Sequence, residues 1–302
     1  LRYDGGATSS DRLFSVGTGG GGIDAAGSGA LTLTNIGSLG FNGQTGARTL
    51  TLSGSNDGAL AAVIGDNSGA TSLTKSGTGT WTLNGSASNT ATGTTTVNAG
   101  TLALAKTGGA TAVAGNLVIG DGSGTDTVRL DADSQIASTA AITLTAGGTP
   151  TLNLNGYSQQ IGSLASSNTG ALVQLGSPGG ATTFTVGNTS NTTYAGVITG
   201  GANAAFAKTG AGTLTLSGAN TFAGAVAINA GTLALSNSSG LGTGTAGVTV
   251  ANSAVLSLQN AITVNKGDLT ITGTGSGSGA LVNVSGDNSY ANSIVLGGAT
   301  TI

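Results

Sequence analysis

The chain has 302 residues, 57 of them glycine and only two proline, and it lacks cysteine, histidine and methionine altogether. Eight lysines and arginines stand against eleven aspartates, with no glutamate, for a net charge of −3. This composition excludes disulfide and thiol chemistry, a collagen-like repeat and a basic surface for nucleic acid or anionic lipid. The residues with the strongest helical preference are scarce and threonine and valine are abundant, so almost no helix is expected.

Leu1 to Ala30 is glycine-rich, with Gly19 to Gly22 in a row and Leu13, Phe14, Val16 and Ile23 as apolar anchors, and is expected to form a broad incoming coil. Leu31-Thr32-Leu33 and Leu50-Thr51-Leu52 then alternate apolar and hydroxyl side chains, the signature of strands with one buried and one wet face. Leu73 to Lys106 follows and is repeated by Phe206 to Asn237: Lys75 falls on Lys208, Gly77 on Gly210, Trp81 on Leu214 and Leu83 on Leu216. Val97-Asn98-Ala99-Gly100-Thr101-Leu102 likewise falls on Ile228-Asn229-Ala230-Gly231-Thr232-Leu233. The match runs upstream, pairing Ala61 to Ile64 with Ala195 to Ile198 and Leu50 to Leu52 with Phe184 to Val186.

Between the copies, Leu117 to Gly120, Val128 to Leu130, Ile142 to Leu144 and Leu152 to Leu154 recur about every ten residues, which suggests two or three short strands per coil. After the second copy the rhythm continues through Val248 to Val250, Val255 to Leu258, Ile262 to Val264 and Leu269 to Ile271. Leu281 to Val284 and Ser293 to Leu296 resemble the opening of a third, truncated copy. Strands this short must stack on one another, and serine-glycine and asparagine-glycine corners let the chain turn between them. The expectation is an all-β parallel β-helix (β-solenoid) running continuously over 1–302, with repeat segments near 50–106 and 184–237 and a third from about 281. Coils of roughly twenty residues would give about fifteen turns and a rod on the order of 70 Å.

Lys208-Thr209-Gly210-Ala211-Gly212-Thr213-Leu214-Thr215-Leu216, Asn220-Thr221-Phe222 and Ile228 to Leu233 together resemble the autotransporter-associated β-strand repeat, also called the passenger-associated transport repeat. The first copy keeps all of this pattern except the aromatic, having Asn89-Thr90-Ala91. The resemblance implies a right-handed parallel β-helix displayed at, or released from, the surface of a Gram-negative-type cell. It also implies a repeat that helps large passengers cross the outer membrane and fold outside. Leu1-Arg2-Tyr3-Asp4 carries no signal-like apolar run, so a mature fragment of a longer exported protein is expected.

Chemistry-bearing candidates are few, and no catalytic, cofactor-binding or metal residue is assigned. Arg129-Leu130-Asp131-Ala132-Asp133 is the densest charge cluster, and on a strand Asp131 and Asp133 would share a side. Glycoside hydrolysis needs two carboxylates across a groove, however, and no second pair accompanies them. Gly120-Asp121-Gly122-Ser123-Gly124-Thr125-Asp126 loosely echoes a calcium loop but is read as a turn. Trp81 matches Leu214 and is read as core; Lys75 and Lys208 are read as solvated corner lysines that deter edge pairing. Tyr3, Tyr157, Tyr194 and Tyr290 suggest no common site. The reading is a non-catalytic extracellular passenger forming a stalk, fibre or layer, with no cofactor, no nucleic acid and no insertion of this segment into a membrane. Partners would be further coils joined end to end. The alternatives are an adhesin whose lateral face binds a glycan or surface protein, a polysaccharide-degrading enzyme, and an ice-binding threonine array, the last weakened by the uneven spacing of its Thr-x-Thr strands.

Overall fold

The computed structural model describes residues 1–176 and 181–302, all as strands, bends and turns without helix. The chain is a parallel β-solenoid of about 13 turns, grouped into two compact units, Leu1–Asn153 and Leu154–Ile302.

In the first unit one sheet stacks, in order, Arg2–Tyr3, Gly21–Ala25, Arg48–Ser53, Thr71–Lys75, Thr95–Val97, Leu117–Ile119 and Ala141–Leu144. A second stacks Thr8–Ser10, Leu31–Leu33, Gly58–Leu60, Thr80–Leu83, Gly100–Leu104, Asp126–Leu130 and Thr151–Asn153. Consecutive strands therefore alternate between sheets, and every pairing is parallel to the strand one coil away. Single bridges such as Ser38 to Val63 and Val113 to Ile136 mark a third, irregular side.

The second unit repeats the scheme. Gln159–Ile161, Thr182–Val186, Ala204–Lys208, Val226–Ile228, Val248–Val250, Leu269–Gly273 and Ile294–Thr300 form one sheet. Thr192–Tyr194, Thr213–Leu216, Thr232–Leu235, Val255–Gln259 and Leu281–Ser285 form another. Coil length varies more than the sequence rhythm suggests. Phe206 pairs with Val226, close to the expected twenty residues, whereas Gly21 pairs with Leu50, so the loop through Ile36 to Ala47 lengthens that coil. Longer coils are why the turns number fewer than fifteen.

The period of two places the core. In Thr71–Lys75 the side chains of Thr71, Leu73 and Lys75 are buried and those between them are half-exposed. Outward positions stack into columns, such as Thr51, Thr74 and Thr96. Direct hydroxyl-to-hydroxyl ladders are sparse, with Thr125 and Thr149 at 3.1 Å an example. Several threonine hydroxyls bond instead to a carbonyl of the preceding coil, as Thr34 does to Ser10 O and Thr243 to Thr221 O.

Leu281–Ser285 and Ile294–Thr300 stack on the preceding coil, and Val284, Ile294, Val295 and Leu296 are exposed. The incoming segment is more regular than expected, because Gly21 and Gly22 lie within a strand rather than a loop.

Candidate functional site

The polar residues shared by the two repeat copies sit inside the solenoid. Lys75 is the last inward-facing residue of its strand and is fully buried. Its Nζ donates to Ser76 O at 3.1 Å, Gly77 O at 2.8 Å and Ala99 O at 2.9 Å. Lys208 does the same in the second copy, donating to Thr209 O at 2.5 Å, Gly210 O at 2.8 Å and Ala230 O at 3.2 Å. An ammonium has three protons, and each finds a carbonyl: two from its own corner and one from the corner a coil later. The expectation of solvated corner lysines is thus overturned. The charge is tolerated inside because carbonyl dipoles replace water on every side of it.

Burial nevertheless pushes both lysines down to about 8, and for Lys75 the carboxylates of Asp126 and Asp57 oppose that shift. The corner above each lysine is a glycine in the left-handed region, Gly100 and Gly231, both at φ +65. A Cβ there would lie 2.7 Å from Gly77 O, Thr78 O and Gly79 O in the first copy, and 2.4 Å from Gly210 O in the second. Only glycine allows the corner to settle onto the carbonyls beneath it.

The asparagine of the repeat makes a second link. Asn89 Oδ1 accepts from Ile64 N at 3.0 Å and its Nδ2 donates to Ala112 O at 2.8 Å, which ties the coil before it to the coil after it. Asn220 reproduces this with Ile198 N at 2.8 Å and Gly240 O at 2.7 Å. Both side chains are buried. Phe222, two residues on, is fully buried against Phe206, whose ring in turn meets Phe184 edge-on, both centroid distances being 6.1 Å.

Further inward polar groups lie outside the shared motif. Gln135 is fully buried, accepting from Lys106 N at 2.8 Å and donating to Lys106 O at 3.1 Å and Ala110 O at 3.2 Å. Lys266 Nζ lies 4.9 Å from the Phe222 ring centroid and donates to Thr243 O at 3.0 Å. Lys106 is different: its Nζ is buried without a hydrogen-bond partner, and burial lowers it to about 8.

The other candidates separate rather than converge. Trp81 is fully buried and its Nε1 donates to Ser53 O at 2.9 Å, so it is core, as expected from its match to Leu214. Asp131 and Asp133 do not share a strand face, because the strand ends at Leu130 and both lie in the turn beyond it. Arg129 grips Asp131 with two bonds, Nε to Oδ1 at 2.8 Å and Nη2 to Oδ2 at 2.9 Å. In the 120–126 loop, Asp121 Oδ1 accepts from Ser123 N at 3.0 Å and Ser123 Oγ at 2.8 Å, a self-closing turn. Tyr194 is buried, with burial pushing its hydroxyl well above the ordinary range. Tyr290 donates to Gly267 O at 2.7 Å.

Among the described residues, no group of three or more metal-ligating side chains is found. A cavity of about 550 Å³ lies beside Tyr3, Arg12, Phe14, Val16, Ile23 and Leu33, mostly apolar and without paired carboxylates.

The passenger-associated-transport-repeat family matches residues 73–104 and 206–235, the same two segments whose lysine, glycine and asparagine hold identical positions. The chain thus carries two passenger-associated transport repeats. It is also 45% identical over 83 residues, 26% of its length, to the protein named Adhesin BmaC autotransporter from Brucella suis biovar 1 (strain 1330). That match spans 2% of the relative's length. No solved structure matches the chain. Its polar core residues are hard to place from sequence because charge ordinarily marks exposure. The signal that places them was present in the strict alternation Thr71, Leu73, Lys75.

Proposed function

We propose that this chain is a non-catalytic scaffold of the cell exterior, a length of stalk or fibre whose repeat exists to hold successive coils together. The observation that carries this reading is the placement of Lys75, Lys208, Asn89 and Asn220. The polar side chains common to both repeats are buried and committed to backbone atoms of neighbouring coils. A side chain used in this way is not available to a ligand. Within the 129–133 charge cluster, Arg129 pairs with Asp131 and closes a turn. The experiment is electron microscopy of the purified chain and of longer native material. Regular rods whose length scales with the number of residues support the scaffold; globular particles of constant size would sink it.

A second reading, adhesion through a lateral face, is favoured by the printed name of the relative and by a shallow groove of about 310 Å³. That groove is lined by Thr18, Arg48, Thr49, Ser72 and the backbone of Gly19 and Gly20, a hydroxyl-rich surface with one guanidinium, suited to a glycan. Binding on a glycan array that is lost on Thr49→Lys would support it. An array without signal would leave the scaffold role alone.

A further inference from the structure

Three asparagines of the chain precede a glycine, at Asn42–Gly43, Asn84–Gly85 and Asn155–Gly156. In such a pair the backbone nitrogen of the second residue can attack the side-chain amide carbon of the first, and glycine, without a Cβ, hinders the approach least. What differs among the three is whether the fold leaves that approach open.

Two pairs are clamped between coils. Asn84 N donates to Leu60 O at 3.1 Å and Gly85 O accepts from Thr107 N at 3.0 Å, so the pair is held by the coil before it and the coil after it. Asn84 Oδ1 is buried, and a Cβ on Gly85 would lie 2.5 Å from Ala61 O. At Asn155–Gly156 the attacking nitrogen is covered by the next coil: a Cβ on Gly176 would lie 2.3 Å from Gly156 N. Neither pair can swing without unstacking a coil.

Asn42–Gly43 is not clamped. It lies at the tip of the loop that lengthens its coil, where residues 42–45 are all exposed. Both residues are in the left-handed region, at φ +53 and +68, and a Cβ on Gly43 would meet nothing within 4 Å. Among the described residues, no hydrogen bond engages the Asn42 side chain or Gly43 N. One backbone bond closes the turn, from Gln44 N to Phe41 O at 3.0 Å. Its opening is enough to let Gly43 N turn towards Asn42 Cγ.

We propose that Asn42 is a site of spontaneous modification, and that its isoaspartyl product unclasps Arg48. Gly43 N forms a bond to Asn42 Cγ, the Cγ–Nδ2 bond breaks, and ammonia leaves with the proton of the Gly43 amide, giving a cyclic imide. Water then opens the ring at either carbonyl. Opening at the side-chain carbonyl leaves aspartate; opening at the main-chain carbonyl leaves isoaspartate, with one more carbon in the backbone. Either product puts a carboxylate on a neutral loop tip. The longer backbone acts further in. Arg48 donates to Val16 O at 2.7 Å, Gln44 O at 3.1 Å and Gly46 O at 2.9 Å, with its guanidinium carbon 4.6 Å from the Phe41 ring centroid. Phe41 and Gln44 are the two ends of the modified turn, so lengthening it pulls both away from the guanidinium.

The test is peptide mapping by mass spectrometry of the 302-residue chain, fresh and aged at neutral pH and 37 °C, folded and in urea, for the wild type and Asn42→Gly. Glycine has no amide to cyclise and accepts the positive φ. In the folded chain the peptide carrying Asn42 is expected to gain one mass unit and isoaspartate at least about tenfold faster than those carrying Asn84 or Asn155. In urea the three rates should converge. Trypsin should cut after Arg48 in the aged wild type, but not in the fresh chain or in aged Asn42→Gly. Equal rates for the three pairs in the folded chain would overturn the site, as would aspartate at 42 without isoaspartate. Isoaspartate at 42 with Arg48 still resistant would overturn the unclasping.

Discussion

Three of the four buried lysines hold their ammonium against backbone carbonyls, and one does not; the same substitution should therefore act in opposite directions. Lys208→Met leaves three inward carbonyls without a donor and is expected to lower stability by about 2–4 kcal/mol, measured by denaturant unfolding. Lys106→Met removes a buried charge that has no hydrogen-bond partner and fills the space with apolar atoms, so its stability at pH 7 should equal or exceed that of the parent. Lysine also sets a pH dependence. Its ordinary value is near 10.4, and burial lowers Lys106 to about 8. Between these values the unfolded chain binds a proton that the folded chain does not, so stability rises as pH rises. Lys75, Lys208 and Lys266 are lowered in the same way, so the Tm should increase from pH 7.5 to 9.5, and Lys106→Met should remove only its own share of that rise. Above pH 10 the sign reverses, because Tyr194 and Tyr290 are held neutral in the fold and ionise when it opens.

At the scale of the element, what stacks on a strand matters more than the strand itself. Gly58 lies in Gly58–Leu60 directly opposite Trp81 of the next coil, and a Cβ on it would come within 2.5 Å of the indole. Gly58→Ala is expected to cost about 1–3 kcal/mol by forcing the buried ring aside, and Gly58→Ala combined with Trp81→Leu should recover much of that loss. The second copy has leucine in place of tryptophan and threonine in place of this glycine, as Leu214 pairs with Thr192, so a smaller side chain there accompanies a larger one opposite. Asn220 links three coils through two hydrogen bonds, so Asn220→Ala should expose Ile198 N to solvent exchange more than amides a few coils away. Hydrogen exchange read residue by residue checks this.

At the scale of the whole molecule, burial redistributes the charge. Trypsin cuts after lysine and arginine, yet five of the eight such residues are buried. Native chain should be cleaved only after Arg2, Arg12 and, slowly, Arg129, whose guanidinium is bound to Asp131. Heating past the unfolding transition should release cuts at the lysines, visible as new peptides by mass spectrometry. Early cleavage at Lys75 or Lys208 in the cold would contradict the burial on which the scaffold reading rests.

Much of this architecture follows from the chain alone. Alternation in Leu50-Thr51-Leu52 and Thr213-Leu214-Thr215-Leu216 is a local property of the backbone, since neighbouring side chains on a strand must point to opposite faces. Internal repetition then aligns Lys75 with Lys208 and Asn89 with Asn220 before any coordinates are known. What these aligned residues do is not local. A lysine is soluble or caged according to which carbonyls the next coil brings to it, and Ala99 lies 24 residues along the chain from Lys75. Asp126 is likewise an ordinary loop acid until its strand places it inward above Gly100. Period and repeat determined the solenoid and its core face. Stacking between coils alone decided which polar groups were buried, because only there do distant backbone atoms replace water around a charge.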